Sequence, residues 1–221
     1  MIKLSFLVLI SLTLPAFALE NIRSVAQAVD EHYNHLHTLE AQFTETYRGL
    51  GLERTETGTL WLEKGGLKKP GKMRWEYRSP EDKLFVSNGK EAWFYVPADR
   101  QARRTEASQL RDLRSPLEFL LGKTQLENEL QGLSFAPDVP PLNPGDVVLR
   151  GVPKSMADRI SEMLLQVNPQ REIVSIQMQN VDGSVTEYRF TGQKANVTIP
   201  AGWFQFKPPA GTETIEGLEQ Q

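Results

Sequence analysis

Short segments with apolar residues at every second position run through most of this chain, and this pattern constrains its fold most strongly. Side chains alternate between the two faces of a β-strand, so a period of two predicts strands with one buried face. The pattern begins at Leu39, Ala41 and Phe43 and fades at Glu45, the next residue on that face. Further strands are predicted at 57–63, 72–77, 83–87, 92–96, 146–150, 161–167, 173–179 and 185–191, with 204–206 as a last edge strand.

Turn-forming residue pairs separate these segments and indicate an antiparallel order. Asn88-Gly89 is the strongest hairpin candidate, because both residues tolerate the positive φ of a type I′ turn. Helices are predicted at 21–33 and directly after Ser115-Pro116, with a proline-rich loop at 134–145 and a loose tail at 212–221. The expected fold class is therefore mainly β, with a few short helices.

The first eighteen residues have the features of a secretory signal peptide. Lys3 supplies a positive charge, and residues 4–14 form an apolar run. Ala16 and Ala18 supply the small side chains that signal peptidase requires before its cleavage site. The run is too short to span a hydrocarbon layer of roughly 30 Å comfortably, although an uncleaved anchor remains the alternative. We predict that residues 1–18 are cleaved and that 19–221 form one exported, soluble domain.

Composition excludes several classes of protein. The 221 residues contain no cysteine, which excludes a disulfide scaffold, a thiolate metal site and a cysteine nucleophile. It also excludes the N-terminal cysteine on which bacterial lipoproteins carry their own lipid. A formal net charge of −3 argues against a nucleic-acid partner, which requires an excess of basic residues. Stability must come from packing of the apolar core.

No pattern in the sequence predicts an enzyme. The three histidines, His32, His35 and His37, lie together at the end of the first predicted helix, and a solvated helix end explains them better than a zinc site. The Gly-x-Ser-x-Gly and His-Glu-x-x-His motifs are absent. We predict no catalytic residue, no metal and no cofactor.

Aromatic residues concentrate in the first half of the sheet. Met73, Trp75 and Tyr77 share one face of a strand, and Trp61 lies in the neighbouring segment. In the run from Trp93 to Tyr95, aromatic side chains point to both faces, which indicates that both faces are covered by core or by a ligand. An ordinary sandwich core and an apolar binding cavity both fit this pattern.

A short apolar segment after the first meander is the candidate lid of such a cavity. Leu117, Phe119 and Leu120 lie close together behind Ser115-Pro116. A plain core helix is the alternative interpretation.

Several motifs along the chain together resemble the LolA family of periplasmic outer-membrane lipoprotein carriers. They span nearly the whole mature chain in the expected order. The motifs are Phe43-Thr44-Glu45-Thr46, Gly58-Thr59-Leu60-Trp61-Leu62, residues 69–77 followed by Pro80, Val86-Ser87-Asn88-Gly89-Lys90, Trp93-Phe94-Tyr95, Ser115-Pro116-Leu117 with Leu120-Leu121-Gly122, and residues 204–211.

This resemblance implies a fold and a set of partners. The fold is an incomplete antiparallel β-barrel of about eleven strands, enclosing a hydrophobic cavity that short helices plug. The implied cargo is triacylated lipoproteins, received from an inner-membrane ABC transporter complex and passed to an outer-membrane receptor. The implied cavity and lid residues are Trp61, Met73, Trp75, Tyr77, Trp93, Tyr95, Leu117, Phe119 and Leu120.

The resemblance also implies a latch and a state of association. Lys69 stands where the best-known members have an arginine that bonds to the lid helix; lysine keeps the charge but loses the bidentate fork. The expected protein is a periplasmic monomer. The alternative function is an exported sensor module of the same fold, which binds lipid or lipoprotein without ferrying it.

Overall fold

The computed structural model describes residues 21–66, 70–109, 119–120 and 125–217, so the predicted signal peptide lies outside the described residues. Two α-helices begin and end within these residues, α1 (Ile22–Asn34) and α2 (Leu126–Glu129). The strands are β1 (Thr38–Gly49), β2 (Leu52–Glu63), β3 (Lys72–Ser79), β4 (Lys83–Ser87), β5 (Glu91–Val96), β6 (Gln101–Glu106), β7 (Leu130–Phe135), β8 (Val147–Pro153), β9 (Ile160–Val167), β10 (Ile173–Asn180), β11 (Val185–Ala195) and β12 (Glu213–Glu216).

All of these strands belong to one twelve-stranded sheet, in the order β12-β6-β5-β4-β3-β2-β1-β11-β10-β9-β8-β7. Neighbouring strands are antiparallel except for β12, which pairs with β6 in parallel. Within the described residues, β12 and β7 are the two free edges, so the sheet does not close on itself. The predicted mainly β fold with an incomplete barrel is confirmed, with twelve strands in place of about eleven.

Three strands were missed, and one predicted strand was wrong. β6 and β12 are mostly charged or polar, so they lack an apolar alternation that would reveal them. In β7 the apolar residues stand at 130, 133 and 135, because a register shift between Gln131 and Ser134 interrupts the period of two. Residues 204–206 form no strand. Both edges are already occupied by other segments, and this stretch packs its rings over a face of the sheet.

The Asn88-Gly89 turn joins β4 to β5, but it is not of type I′. Only Gly89 of the pair has a positive φ, at 87°. The Asn88 carboxamide oxygen instead accepts hydrogen bonds from the backbone N–H groups of Lys90 and Glu91, at 2.9 and 3.0 Å. A side-chain acceptor therefore closes this turn.

The sheet curves, and its concave side holds the core. Cross-strand pairing places Leu60, Trp75 and Phe85 on this side, which we call the inner face. Trp75 on β3 and Tyr188 on β11 are three strand spacings apart, or roughly 14 Å in a flat sheet. Their ring centroids are only 5.8 Å apart, so the sheet bends to bring the two strands towards each other.

Helix α1 covers part of the inner face. Asn21 caps it by accepting a hydrogen bond from the Arg23 N–H at 3.0 Å, and four apolar or aromatic residues recurring at helical spacing, among them Val25 and Val29, are buried. The Tyr33 hydroxyl donates to Gln193 and accepts from the Ile173 N–H, which fixes the helix to β10 and β11. Within the described ranges, no helix has the length and apolarity needed to cross a membrane.

Candidate functional site

The inner face carries a continuous cluster of aromatic rings centred on Phe43. Its ring centroid lies 4.6 Å from that of Trp75 and 4.9 Å from that of Tyr77. Tyr188 and Phe190 extend the cluster along β11, with stacked rings 6.4 Å apart. Several strands thus contribute to one apolar surface, because alternate residues of adjacent strands point to the same side.

One charged side chain, Glu45, stands at the end of this apolar surface. The Tyr77 hydroxyl donates to its Oε2 at 2.9 Å, and the Tyr188 hydroxyl donates to its Oε1 at 3.2 Å. Burial raises the pKa of Glu45 above its ordinary value, the bond from Tyr77 lowers it, and the nearby charge of Glu56 raises it again. Burial also raises the pKa of both tyrosines, so their hydroxyls stay protonated and act as donors.

A second buried carboxylate, Glu56, lies directly opposite Glu45 on β2. The Lys83 ammonium group bonds to its Oε1, and the Arg54 guanidinium lies 3.4 Å from its Oε2. Glu56 therefore has two cationic partners, whereas Glu45 has two neutral ones. The inner face ends in a polar patch in which one carboxylate is neutralised by ion pairs and the other is held by hydroxyl groups.

Trp75 contributes a polar atom to the otherwise apolar part of the face. Its side chain is only 3% exposed. In the part of the chain that the structure describes, its indole Nε1–H meets no hydrogen-bond acceptor. Buried donors are almost always paired in proteins, so this atom marks a place where packing alone does not complete the site.

Two residues of the predicted lid lie in the same cluster. Phe119 and Leu120 are buried and belong to the same apolar core cluster as Trp75, Phe43 and Leu60. These two residues therefore pack in the core of the inner face.

The opposite side of the sheet, the outer face, carries a second aromatic set. Trp61, Trp93 and Tyr95 project there and are covered by residues 203–206, which we call the strap. The ring centroids of Trp61 and Trp203 are 5.4 Å apart, and Phe206 lies 5.6 Å from Trp93 and 5.3 Å from Tyr95. Protein thus covers the outer side of the Trp93–Tyr95 run.

Arg74 fixes the strap to the outer face. Its guanidinium carbon lies 4.6 Å from the centre of the Trp203 ring, and its Nη1 donates to the Trp203 carbonyl oxygen at 3.1 Å. Its Nε donates to Glu76 at 2.8 Å, which orients the guanidinium group. This combination of stacking and directed hydrogen bonds needs the planar fork of arginine.

The structure thus divides the predicted cavity residues between two faces. Met73, Trp75, Tyr77, Phe119 and Leu120 come together on the inner face, whereas Trp61, Trp93 and Tyr95 lie on the outer face under the strap. Leu117 and Lys69 lie outside the described residues. The roles of all these residues in binding stay predictions.

Sequence reasoning did not select Phe43, Glu45, Glu56, Tyr188 or Phe190 as site residues. The alternation from Leu39 to Glu45 held part of this information, because Glu45 is the next inner-face residue after Phe43. The meeting of β1 with β11 could not be found, because these strands are separated by about 140 residues and pair only in the folded sheet. The described ranges contain no group of three or more histidine, aspartate or glutamate side chains arranged to hold a metal ion.

Comparison with known proteins decides the family. The model of the family described as "Outer membrane lipoprotein carrier protein LolA" matches residues 34–207. The chain belongs to this family. An outer-membrane lipoprotein carrier protein of Azotobacter vinelandii is 32% identical over 210 residues, covering 91% of this chain and 94% of the relative. Its counterpart from Chromobacterium violaceum is 29% identical over 182 residues, covering 81% and 82%.

The fold recurs in distant solved structures. An uncharacterized conserved protein from Thermus thermophilus superposes with a TM-score of 0.52 at 11% sequence identity, covering 90% of this chain and all of the other. At this identity the similarity concerns the fold alone.

Proposed function

We propose that this LolA-family protein is a periplasmic carrier that binds the acyl chains of triacylated lipoproteins and delivers them to the outer membrane. In this proposal, residues 1–18 direct export and are removed, and the remaining chain is a soluble monomer. An inner-membrane ABC transporter complex supplies the cargo, and an outer-membrane lipoprotein receptor accepts it. The carrier needs no cofactor, nucleic acid or catalytic residue of its own.

The observation that carries this proposal is the continuous apolar surface of the inner face. Each methylene group moved out of water stabilises a complex by about 0.8 kcal/mol. An acyl chain of about fifteen methylenes would therefore gain roughly 12 kcal/mol in an apolar environment, and cannot cross an aqueous compartment unshielded. Phe43, Met73, Trp75 and Leu60 offer such an environment on one side of a single sheet.

Release requires that this affinity be limited. Phe119 and Leu120 pack on the same surface that the acyl chains would use. A ligand must displace them or repack them, so part of its binding energy is spent on moving the segment, and its net affinity falls. Leu117 belongs to the same lid in this proposal, and Lys69 is its candidate latch.

A transfer assay tests the proposal. Purified protein is loaded with a fluorescent triacylated lipopeptide from donor liposomes and then mixed with acceptor liposomes of outer-membrane composition. We expect protein-dependent transfer, and we expect Phe43→Glu to reduce loading at least tenfold because it places a charge in the apolar cluster. Glu53→Gln on the exposed end of β2 is the control that should transfer normally.

Two results would count against the carrier function. Binding without transfer would favour a sensor of the same fold. Normal distribution of lipoproteins between the two membranes after depletion of the protein in its native host would exclude a role as a main carrier.

A further inference from the structure

Two inner-face polar groups keep hydrogen-bonding capacity that the fold does not use. The first is the Trp75 indole N–H, which is buried and has no acceptor among the described residues. The indole N–H groups of Trp93 and Trp203 are also unpaired there, but both belong to half-buried residues at the strap. Of these three indole donors in the described chain, only that of Trp75 lies in the apolar cluster of the inner face.

The second group is the Glu45 carboxylate. A carboxylate has about four acceptor positions. In the described part of the chain, the hydroxyl groups of Tyr77 and Tyr188 fill one position on each oxygen atom. Each oxygen therefore keeps one position for a further donor, and no lysine or arginine among the described residues forms a hydrogen bond there.

The geometry brings these two groups to neighbouring places on one surface. Phe43 and Glu45 are alternate residues of β1 and share the inner face. The Phe43 ring contacts both Trp75 and Tyr77, and the Trp75 ring contacts Tyr188. The donor residue Trp75 thus contacts Phe43, and the acceptor Glu45 is bonded to Tyr77 and Tyr188, which contact Phe43 and Trp75.

An acylated cargo carries the complementary groups at one point of its structure. Its ester linkages have carbonyl oxygens that only accept, and its amide linkage has an N–H that donates. We propose that the inner face binds this linkage region through two hydrogen bonds. The Trp75 N–H donates to an ester carbonyl oxygen, and the Glu45 carboxylate accepts from the acyl-amide N–H.

This inference rests on the proposed binding of acylated cargo and adds a polarity requirement to it. Apolar burial alone would hold any hydrocarbon chain in any position along the face. Two directed hydrogen bonds in a water-poor site would fix the depth of the chains and favour ester- and amide-linked acyl groups over plain hydrocarbon.

Three synthetic probes test the two hydrogen bonds separately. The parent is a triacylated lipopeptide with two ester-linked chains and one amide-linked chain. In the second probe ether linkages replace both esters, which removes the carbonyl oxygens. In the third probe the acyl amide is N-methylated, which removes its N–H donor. Dissociation constants are measured for each probe with the full mature protein.

For the natural protein, we expect the ether probe and the N-methyl probe each to bind about five- to tenfold more weakly than the parent. Trp75→Phe should abolish the preference for esters over ethers and keep the preference for the free amide. Glu45→Leu should do the reverse. Trp203→Phe removes an indole from the outer face and should leave both preferences unchanged.

Each preference is a ratio within one variant, so a general loss of stability or apolar affinity cancels. Equal binding of all three probes by the natural protein would overturn the inference and leave the carrier function standing. If Trp75→Phe still prefers the ester probe to the ether probe, the hydrogen bond from Trp75 is overturned. If Glu45→Leu still prefers the free amide to the N-methyl amide, the hydrogen bond to Glu45 is overturned. Failure to bind the parent probe at all would refute the proposed function itself, and the inference with it.

Discussion

The two faces of the sheet both carry aromatic rings but surround them differently. On the inner face, the rings of Phe43 and Trp75 lie in a fully buried apolar cluster that α1 and the lid residues cover. On the outer face, basic side chains lie over the rings: Arg74 over Trp203 and Arg104 over Trp93. The face that a strand residue occupies thus decides whether its aromatic ring lies in the apolar core or under basic side chains.

Removing one tryptophan from each face should give the largest difference in stability between the two faces. Trp75→Ala should lower the free energy of unfolding by about 4 kcal/mol, because it opens a cavity in the buried cluster. Trp61→Ala, on the half-buried outer face, should cost about 2 kcal/mol or less. Urea denaturation followed by far-ultraviolet circular dichroism measures both. Equal losses would show that the strap closes the outer face as tightly as the core.

Adding a methyl group to the inner face is the next test. A Cβ at Gly58 would lie 2.0 Å from the Glu76 carbonyl oxygen and 2.8 Å from the Phe43 ring. Gly58→Ala should therefore destabilise the fold by about 3 kcal/mol, because the contact is with backbone and cannot relax cheaply. Gly66→Ala is the matched control, since a Cβ there meets no atom within 4 Å. A normal melting temperature for Gly58→Ala would contradict this packing.

Loss of the arginine under the strap should affect the outer face alone. Arg74→Leu removes both the stacking on Trp203 and the bond to its carbonyl oxygen, so we expect a loss of about 1–2 kcal/mol and faster proteolysis near residues 203–206. Arg78→Leu is the control, because Arg78 also pairs with Glu76 but is mostly exposed. Unchanged acyl binding in Arg74→Leu would separate the two faces functionally; impaired binding would couple them.

The smallest expected effect is a pH dependence that comes from the inner face. The pKa of Glu45 is raised in the folded state, chiefly by burial, from an ordinary value of 4.5. Between these two pKa values the folded state binds the extra proton, so the free energy of unfolding should fall as the pH rises through this window. Glu45→Gln cannot titrate, so its stability should lose this component. Parallel stability curves for the two proteins above pH 4.5 would contradict the assignment.

Much of the sheet could be predicted from the chain, whereas the division of its faces could not. The alternation in β1 to β5 and β8 to β11 revealed those strands, because one apolar face leaves a clear period of two. Trp93 and Tyr95 were predicted to line the cavity, but they lie on the outer face. Alternation shows that they share a face of the sheet; it does not show which segment covers that face. The covering residue, Phe206, lies more than 100 positions later in the chain, beyond the reach of any local pattern.

For the same reason, the candidate site could be predicted only in part from the sequence. The interruption of the apolar pattern at Glu45 was visible, but its partners were not. Tyr77 and Tyr188 approach from opposite sides of β1 once the sheet curves, and no spacing in the sequence encodes that meeting. Curvature is a property of the whole sheet, so the residues that depend on it emerge only from the fold.

The parallel pairing of β12 with β6 has a consequence for the order in which the molecule can be completed. Both β12 and the strap follow the other eleven strands in the chain, so they are synthesised after them. Until these two segments fold into place, β6 is an unpaired strand edge and the outer-face rings of Trp61 and Trp93 lack their covering residues. An exposed edge beside an apolar patch invites pairing with other chains. The strap and β12 therefore cover the outer-face rings and the β6 edge last. A chain that ends before Trp203 should self-associate even though its inner face is intact.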